Sequence, residues 1–338
     1  MTTLLVSPQF RQTCGPDIAS AARAAGIELD WLTLPDDPEA RLDATTCARA
    51  EIAFYTHDAF TERPRQFFST LKHASSLKWL HVFNAGVDHP VFAGVLARGI
   101  RLTTSAGSTA QPIAHTAIAG LLMLARGFPR WLDAQRRRAW EPQRGSTAPR
   151  DLDGQTMLIL GLGHIGREIA HLGRALGLKV IGVRRSPRSP ADPVDELHPP
   201  AALAALLPRA DWLVVACPLT ADTHHLVNAD RLAQLPRHAC VINVSRGAVI
   251  DEPALIAALT GQQLAGAYLD VFETEPLPAD SPLWELPNVI VTPHDSVASA
   301  GNDKRINRIF IDNLKRWVRG EPLVNEVFEI RKPQPAGE

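Results

Sequence analysis

Short runs of apolar residues alternate with helical patterns of apolar and polar positions through the first part of the chain. The apolar runs lie at 4–7, 29–34, 52–55, 78–83 and 100–103. This alternation predicts β-α units around a parallel sheet, because each run has the length of a strand and a helical pattern separates it from the next. A long helix at 112–126 has small and aliphatic residues on nearly all sides, so we expect it to be buried.

A second β-α series begins after an irregular stretch at 140–151 that is rich in Pro, Arg and Gly. Its predicted strands lie at 156–160, 179–183, 212–216, 240–244, 265–271 and 289–292. They are short and apolar on both faces, as expected of strands that helices cover on two sides. The last predicted helix, near 306–317, ends at Arg319-Gly320 with Pro322 beyond, which is a stop signal. A chain of 338 residues is long enough for two such α/β domains.

The composition indicates a globular protein that binds neither nucleic acid nor membranes. Hydrophobic residues make up 45% and charged residues 21%, and the net charge of -1 lacks the basic excess of a nucleic-acid-binding domain. The N-terminus has no signal-peptide pattern, and the longest apolar stretch is about half of a membrane span, so we expect a cytoplasmic protein. The four cysteines are far apart and form no C-x-x-C pair, which predicts reduced thiols and no metal site: Cys14, Cys47, Cys217 and Cys240.

A glycine-rich turn connects the predicted strand at 156–160 to an amphipathic helix. It reads Gly161-Leu162-Gly163-His164-Ile165-Gly166. The first glycine of such a turn permits a tight bend, the second lets the backbone approach a pyrophosphate, and the third lets the helix pack close to the sheet. The free N–H groups at the start of the helix favour phosphate binding. The context of strand, turn and helix therefore predicts a Rossmann-type dinucleotide site.

The end of the next predicted strand indicates which dinucleotide is bound. An NAD site usually has an acidic residue there, which binds the ribose 2′-hydroxyl. This chain instead has Arg184, Arg185 and Ser186, whose guanidinium and hydroxyl groups could hold a 2′-phosphate. The alternative is that the arginines are only solvated at a strand end. We predict that NADP(H) is favoured and that NAD(H) remains possible.

Three further stretches follow predicted parallel strands, where ligands bind in open α/β sheets. They are 241–251, 269–278 and 288–294, and they contain Arg246, Glu275 and His294 respectively. Each of these residues alone would be read as a solvated or structural side chain. Together, and beside a dinucleotide motif, they predict a catalytic site.

These stretches and the glycine-rich turn closely resemble the D-isomer-specific 2-hydroxyacid dehydrogenase family, and the resemblance covers nearly the whole chain. It implies a Rossmann-type doubly wound parallel sheet in a nucleotide domain at 105–292. This domain is inserted into a flavodoxin-like α/β substrate domain formed by 1–104 and 293–338. The resemblance also implies a homodimer that acts on small 2-keto or 2-hydroxy acids.

The resemblance further implies the roles of individual residues. Arg246 would bind the substrate carboxylate and keto oxygen through its planar fork. His294 would be the acid/base, and Glu275 would orient its imidazole and stabilise the protonated form. The remaining cofactor contacts would include Asp270 against the nicotinamide carboxamide, together with Cys217, Pro218, Thr223 and Val244. The substrate side would comprise the backbone N–H groups of Ala85 and Gly86, with Asn84 and Tyr55 as weaker candidates.

Two departures from the family pattern lie near these residues. His115 stands where the family usually has Glu, and Asp295-Ser296 follows His294 where small or apolar residues are usual. A carboxylate beside the acid/base would repel dicarboxylate substrates if it pointed inward.

The predicted function is NADP(H)-dependent reduction of glyoxylate, hydroxypyruvate or a similar 2-keto acid to a D-2-hydroxy acid. A phosphite-dehydrogenase-like oxidoreductase uses a similar set of residues and stays open. A dinucleotide-sensing scaffold, similar to transcriptional corepressors of this fold, is the alternative from another class. Formate dehydrogenases are set aside, because 281–293 contains no Gln to partner the histidine.

Overall fold

The structure is a computed structural model that describes residues 2–87 and 89–329. The strands in these residues are β1 Thr2–Val6, β2 Leu29–Thr33, β3 Ile52–Tyr55, β4 Trp79–Val82, β5 Arg101–Thr104, β6 Thr156–Leu160, β7 Lys179–Val183, β8 Glu196–His198, β9 Trp212–Val215, β10 Cys240–Asn243, β11 Gly266–Leu269, β12 Val289–Val291 and β13 Glu326–Val327. The helices are α1 Pro8–Thr13, α2 Gly15–Ala24, α3 Ala44–Ala48, α4 His57–Glu62, α5 Pro64–His73, α6 Pro90–Ala97, α7 Ala110–Arg126, α8 Phe128–Arg136, α9 His164–Ala175, α10 Leu203–Leu206, α11 Ala229–Leu232, α12 Glu252–Thr260 and α13 Asn302–Arg319.

The chain consists of two compact units, and each unit contains one sheet. The first unit comprises Met1–Ser108 and Ala300–Glu338, and the second comprises Thr109–Ser299. The second boundary therefore lies after His294, whereas the sequence placed it at 292/293. The reason is physical: the backbone N–H groups of Asp295 and Ser296 donate hydrogen bonds to Asp270, which ties this turn to the sheet of the second unit.

The sheet of the first unit has the strand order β2-β1-β3-β4-β5-β13. Its first five strands are parallel in the flavodoxin-like order, and β13 pairs antiparallel with β5 at the edge. Apolar clusters cover both faces, one around Phe67 and the other around Phe310 of α13. The sequence did not predict β13, because a paired segment of two residues has no readable periodicity.

The sheet of the second unit is entirely parallel, with the order β8-β7-β6-β9-β10-β11-β12. The strand order reverses direction between β6 and β9, and ligands bind at such a switch point in open α/β sheets. The predicted α/β fold class is confirmed. The sequence missed β8, whose residues Glu-Leu-His are too polar to be recognised as an apolar strand.

The helix predicted at 112–126 is α7, which begins two residues earlier and packs against α9, β10 and β11. It ends at Gly127, whose φ of 72° closes the last turn. The predicted stop of the last helix is confirmed, since α13 ends at Arg319 and Gly320 has a φ of 66°. Among the described residues, no helix combines the length and apolar character needed to cross a membrane.

Candidate active site

The glycine-rich turn lies at the switch point of the second sheet. Gly161 has a φ of 96°, and a Cβ there would lie 2.6 Å from the Cα of Cys217 on the neighbouring strand end. A Cβ on Gly166 would lie 2.0 Å from the carbonyl oxygen of Gly161, so α9 packs as closely as a glycine allows. At Gly163 a Cβ would meet no atom within 4 Å, and no side chain caps the helix. The turn is thus tight on its sheet side and open where a pyrophosphate would lie, which fits a dinucleotide.

The loops after β9 and β10 lie beside this turn. Thr223 Oγ1 accepts a hydrogen bond from Thr220 N and donates one to the carbonyl oxygen of Pro218, both at 2.7 Å, so it closes the loop that follows Cys217. Val244 is buried after β10 and its N–H bonds to Val215 O at 3.2 Å. His164 and Ile165 form the first turn of α9. The predicted cofactor residues at these positions share the carboxyl edge of one sheet.

Arg184, which follows β7, is not simply solvated, the alternative that the sequence left open, because it pairs with a carboxylate. Its guanidinium donates two hydrogen bonds to the carboxylate of Asp192, at 2.9 and 2.6 Å. Arg167 of α9 donates to the same carboxylate at 2.5 Å, and Ser189 N does so at 2.6 Å. Only two of the three predicted phosphate-binding side chains, those of Arg185 and Ser186, therefore remain outside this network.

Asp192 was missed because it lies in an irregular segment eight residues after Arg184. Its side chain is fully buried, and burial acts to raise the pKa of the carboxyl group. The hydrogen bonds from Ser189 N and Arg184 and the charge of Arg167 outweigh this effect and hold the pKa below its ordinary value. The carboxylate is therefore ionised, and its oxygens already accept four hydrogen bonds from the protein.

Arg246 lies in the turn that follows β10. Its Nη1 donates to Ser245 O at 2.7 Å, and the residue is exposed. The next residue, Gly247, contacts the loop after β11 so closely that a Cβ would lie 1.8 Å from the carbonyl carbon of Phe272. This contact brings the Arg246 turn against the loop that carries Glu275.

Glu275 and His294 form a hydrogen-bonded pair. The imidazole donates from Nδ1 to Oε2 of the carboxylate at 2.7 Å, and Phe272 N donates to Oε1 at 3.0 Å. Burial acts to raise the pKa of Glu275, but the bonds from His294 and Phe272 and the charge of Arg246 lower it below its ordinary value. The charge of Arg246 contributes because the turn that carries it packs against the loop of Glu275. With Nδ1 engaged, Nε2 is the ring nitrogen available for a substrate.

Asp270 holds the turn that contains His294. Its Oδ1 accepts hydrogen bonds from Thr292 Oγ1 at 2.6 Å and Asp295 N at 3.1 Å, and its Oδ2 accepts one from Ser296 N at 3.2 Å. The family resemblance implied a nicotinamide contact for Asp270 but did not suggest this bonding. The sequence reasoning also missed Thr292 and its partner Tyr268, whose hydroxyl lies 2.7 Å from Thr292 Oγ1. In the sequence, only the hydroxyl groups of Thr292 and Tyr268 could have indicated that these residues form hydrogen bonds near the site.

Among the residues that depart from the family pattern, His115 and Asp295 are exposed, whereas Ser296 is buried. Asp295 bonds to Asp270 only through its backbone, and its side chain lies toward the surface of the second unit. His115 is exposed on α7.

The predicted substrate-side residues belong to the first unit, at the carboxyl ends of β3 and β4. Ala85 and Gly86 are exposed in the loop after β4, and Asn84 precedes them. Asn84 Oδ1 is buried without a hydrogen-bond partner among the described residues. Tyr55 differs from the expected pocket residue, since it is 3% exposed and its ring packs on Phe67 in the core.

The glycine turn, the strand order and the carboxylate–imidazole pair define a class: dinucleotide-dependent oxidoreductases built on a Rossmann-type sheet. Within this class, the chain belongs to the D-isomer specific 2-hydroxyacid dehydrogenase family, whose NAD-binding domain matches residues 118–296. It is therefore an oxidoreductase with a NAD-binding domain, and the predicted family is confirmed.

Several relatives resemble the chain over most of its length. A glyoxylate reductase from Korarchaeum cryptofilum is 33% identical over 274 residues, which cover 77% of this chain and 80% of the relative. A family member from Aeromonas salmonicida has a solved structure with a TM-score of 0.70 and 34% identity, covering 97% of this chain and 99% of that one. A third, from Xanthobacter autotrophicus in complex with NADPH and MES, has a TM-score of 0.70 and 33% identity, with coverage of 96% and 97%.

Proposed function

We propose that the protein reduces small 2-keto acids to D-2-hydroxy acids, with NADPH as the preferred reductant. The observation that carries this proposal is the pairing of His294 Nδ1 with Glu275 at 2.7 Å, beside the charge of Arg246. A carboxylate-oriented imidazole next to a guanidinium is the arrangement that proton transfer to a carbonyl oxygen needs, while the guanidinium binds the substrate carboxylate.

Each side chain has one task in this reaction. The bound nicotinamide cofactor supplies the hydride. Arg246 binds the carboxylate of the keto acid and orients its carbonyl group. Protonated His294 donates from Nε2 to the keto oxygen as that oxygen gains charge. Glu275 stays ionised because its pKa is lowered, so it accepts from Nδ1 and stabilises the imidazolium before the proton is transferred.

The preference for NADPH is supported by the end of β7. Arg185 has a side chain that is 67% exposed, and its one ion pair among the described residues is a long contact of 3.4 Å to Asp222, which is itself 77% exposed. Such a surface pair contributes little and can exchange Asp222 for a phosphate. Asp192 is the nearest carboxylate in sequence, but Arg167, Arg184 and Ser189 N already occupy its oxygens. The Xanthobacter relative binds NADPH, which agrees with this proposal.

Glyoxylate and hydroxypyruvate are the first substrates to test, because the Korarchaeum relative is a glyoxylate reductase. Initial rates would be measured for both acids with NADPH and NADH at matched concentrations, and His294→Gln would serve as the inactive control. We expect turnover with a clear advantage for NADPH, and Arg185→Gln should remove that advantage. Equal rates with both cofactors would refute the 2′-phosphate argument. Cofactor binding without turnover of any 2-keto acid or of phosphite would favour the sensing scaffold.

The proposal includes a homodimer formed through the second unit. Trp140 is 95% exposed and lines a surface groove with Trp131, Ala134 and Pro142. A large exposed aromatic residue in an apolar groove is typical of a protein interface. Light scattering should give twice the mass of the chain, and Trp140→Ser should shift the protein toward the monomer.

A further inference from the structure

Three polar groups form a continuous hydrogen-bonded chain beneath the turn that contains His294. The hydroxyl of Tyr268 in β11 lies 2.7 Å from Oγ1 of Thr292, and Thr292 donates to Oδ1 of Asp270 at 2.6 Å. Asp270 in turn accepts the backbone N–H groups of Asp295 and Ser296, the two residues that follow His294. This hydrogen-bonded series therefore ends at the backbone of the turn that carries His294.

The direction of donation along this chain is determined by its members. A carboxylate oxygen accepts hydrogen bonds, so Thr292 donates its single hydroxyl proton to Asp270. The oxygen of Thr292 then accepts from Tyr268, whose pKa is raised to about 12 chiefly by burial. Tyr268 consequently keeps its proton at any working pH and remains the donor.

Packing fixes the ring of Tyr268 in place. The residue is 2% exposed, and a Cβ on Gly120 of α7 would lie 2.3 Å from the ring, so only a glycine at this position admits the tyrosine. A buried hydroxyl without a partner would be costly, and Thr292 is the partner that this one has. The fixed ring of Tyr268 therefore directs its hydroxyl to Oγ1 of Thr292.

The turn itself needs such support. His294 has a φ of 51°, a left-handed conformation that non-glycine residues rarely adopt and that surrounding contacts must hold. Its N–H bonds to Thr292 O at 3.0 Å, so Thr292 holds the turn from both its backbone and its side chain. A shift of this backbone would move the imidazole relative to Glu275.

We propose that Tyr268 and Thr292 are positioning residues for His294. They act through Asp270 to hold the imidazole where its Nδ1 bonds to Glu275. The kinetic part of this inference rests on the proposed reductase function. The effect reaches the reacting groups through backbone geometry, since neither hydroxyl contacts the imidazole. A small misplacement of a catalytic group is expected to reduce kcat more than it changes cofactor affinity.

Conservative substitutions test the hydrogen-bonded series from Tyr268 to Asp270. Tyr268→Phe and Thr292→Val remove one hydroxyl each and keep the shape of the side chain, whereas Thr292→Ser keeps the hydroxyl. The matched control is Trp212→Phe, which removes a buried hydrogen bond of 2.7 Å to Gln155 at the opposite, amino end of the same sheet. Rates of glyoxylate reduction, KM for NADPH and Tm would be measured for each protein.

We expect kcat to fall about tenfold in Tyr268→Phe and in Thr292→Val, with KM for NADPH within about twofold of wild type. The kcat of the double variant should be no lower than that of either single variant, because the two hydroxyls act in series. Thr292→Ser should recover most of the activity, and Trp212→Phe should lower Tm without lowering kcat. Unchanged kcat in both single variants, or an equal loss in Trp212→Phe, would overturn the proposal.

A readout without substrate separates this inference from the proposed function. The Nδ1 proton that His294 shares with Glu275 should give a low-field NMR resonance, assigned by its absence in His294→Gln. We expect this resonance to broaden or disappear in Tyr268→Phe and Thr292→Val and to persist in Trp212→Phe. If the wild type reduces no 2-keto acid, the proposed function fails, and this resonance alone decides the inference: its loss supports the positioning role and its persistence contradicts it.

Discussion

Acid should destabilise the first unit through one buried histidine, His81 of β4. The side chain is fully buried, with Nδ1 2.7 Å from Thr103 Oγ1 and Nε2 3.0 Å from Ser105 Oγ. Trp79 donates to Thr103 Oγ1 at 2.8 Å. In the neutral ring with its proton on Nε2, Nδ1 accepts the hydroxyl proton of Thr103. Ser105 donates to Val82 O and accepts from Nε2–H. Every proton in this network is used when the imidazole is neutral.

The size of the effect follows from linkage. Burial lowers the pKa of His81 from 6.5 to about 3, so between these values the unfolded chain binds a proton that the folded chain does not. Stability therefore falls as the pH falls, by up to about 1.4 kcal/mol per pH unit. From about pH 7.5 to about pH 5, this histidine alone should remove about 2 kcal/mol of the free energy of unfolding.

The comparison of wild type with His81→Gln isolates this contribution, because all other titrating groups are common to both proteins. Urea unfolding followed by circular dichroism and tryptophan fluorescence would be measured across this pH range. We expect the wild type to be more stable near neutral pH and its advantage to shrink by about 2 kcal/mol toward pH 5. A difference that does not change with pH would refute the reasoning. The consequence reaches the predicted substrate loop, since Ser105 N also bonds to Asn84 O at 2.9 Å.

Three further predictions concern the second unit. Gly247→Ala should lower kcat/KM about 100-fold, because its Cβ would collide with Phe272 and displace Arg246. Glu275→Gln should lower kcat about 100-fold, and in the wild type, where the pKa of Glu275 is lowered, this carboxylate should not limit the rate above about pH 5. Asp192→Asn should weaken the network at the end of β7 and raise KM for NADPH about tenfold, with little change for NADH. Steady-state kinetics on glyoxylate would measure all three.

Each of these expectations has a result that would contradict it. Normal kinetics for Gly247→Ala would show that the two loops can separate without displacing the guanidinium. Full activity of Glu275→Gln would mean that an amide orients the imidazole as well as the carboxylate does. A parallel rise of KM for both cofactors in Asp192→Asn would assign the network to general cofactor binding, and cofactor titrations by fluorescence would serve as the control.

Local sequence carried much of the prediction. The strand, the turn Gly161–Gly166 and the following helix are contiguous, so their spacing alone specifies the bend and the packing that a dinucleotide needs. Arg246, Glu275 and His294 were found because each follows a buried strand, and the carboxyl ends of parallel strands share one edge of a sheet. The sequence analysis did not predict the edge strands β8 and β13, because they are short and half-exposed and show no apolar pattern.

The amino-acid sequence by itself determined the fold class, the family and the identity of the groups at the candidate site, since these depend on local periodicity and on motifs. Only the tertiary structure decided which partners those groups have. Asp192 accepts two hydrogen bonds from Arg184 after β7, and Tyr268 reaches Asp270 through Thr292. Hydrogen bonds are directional and short-ranged, so their partners depend on how loops far apart in sequence meet, and residue spacing carries no record of that.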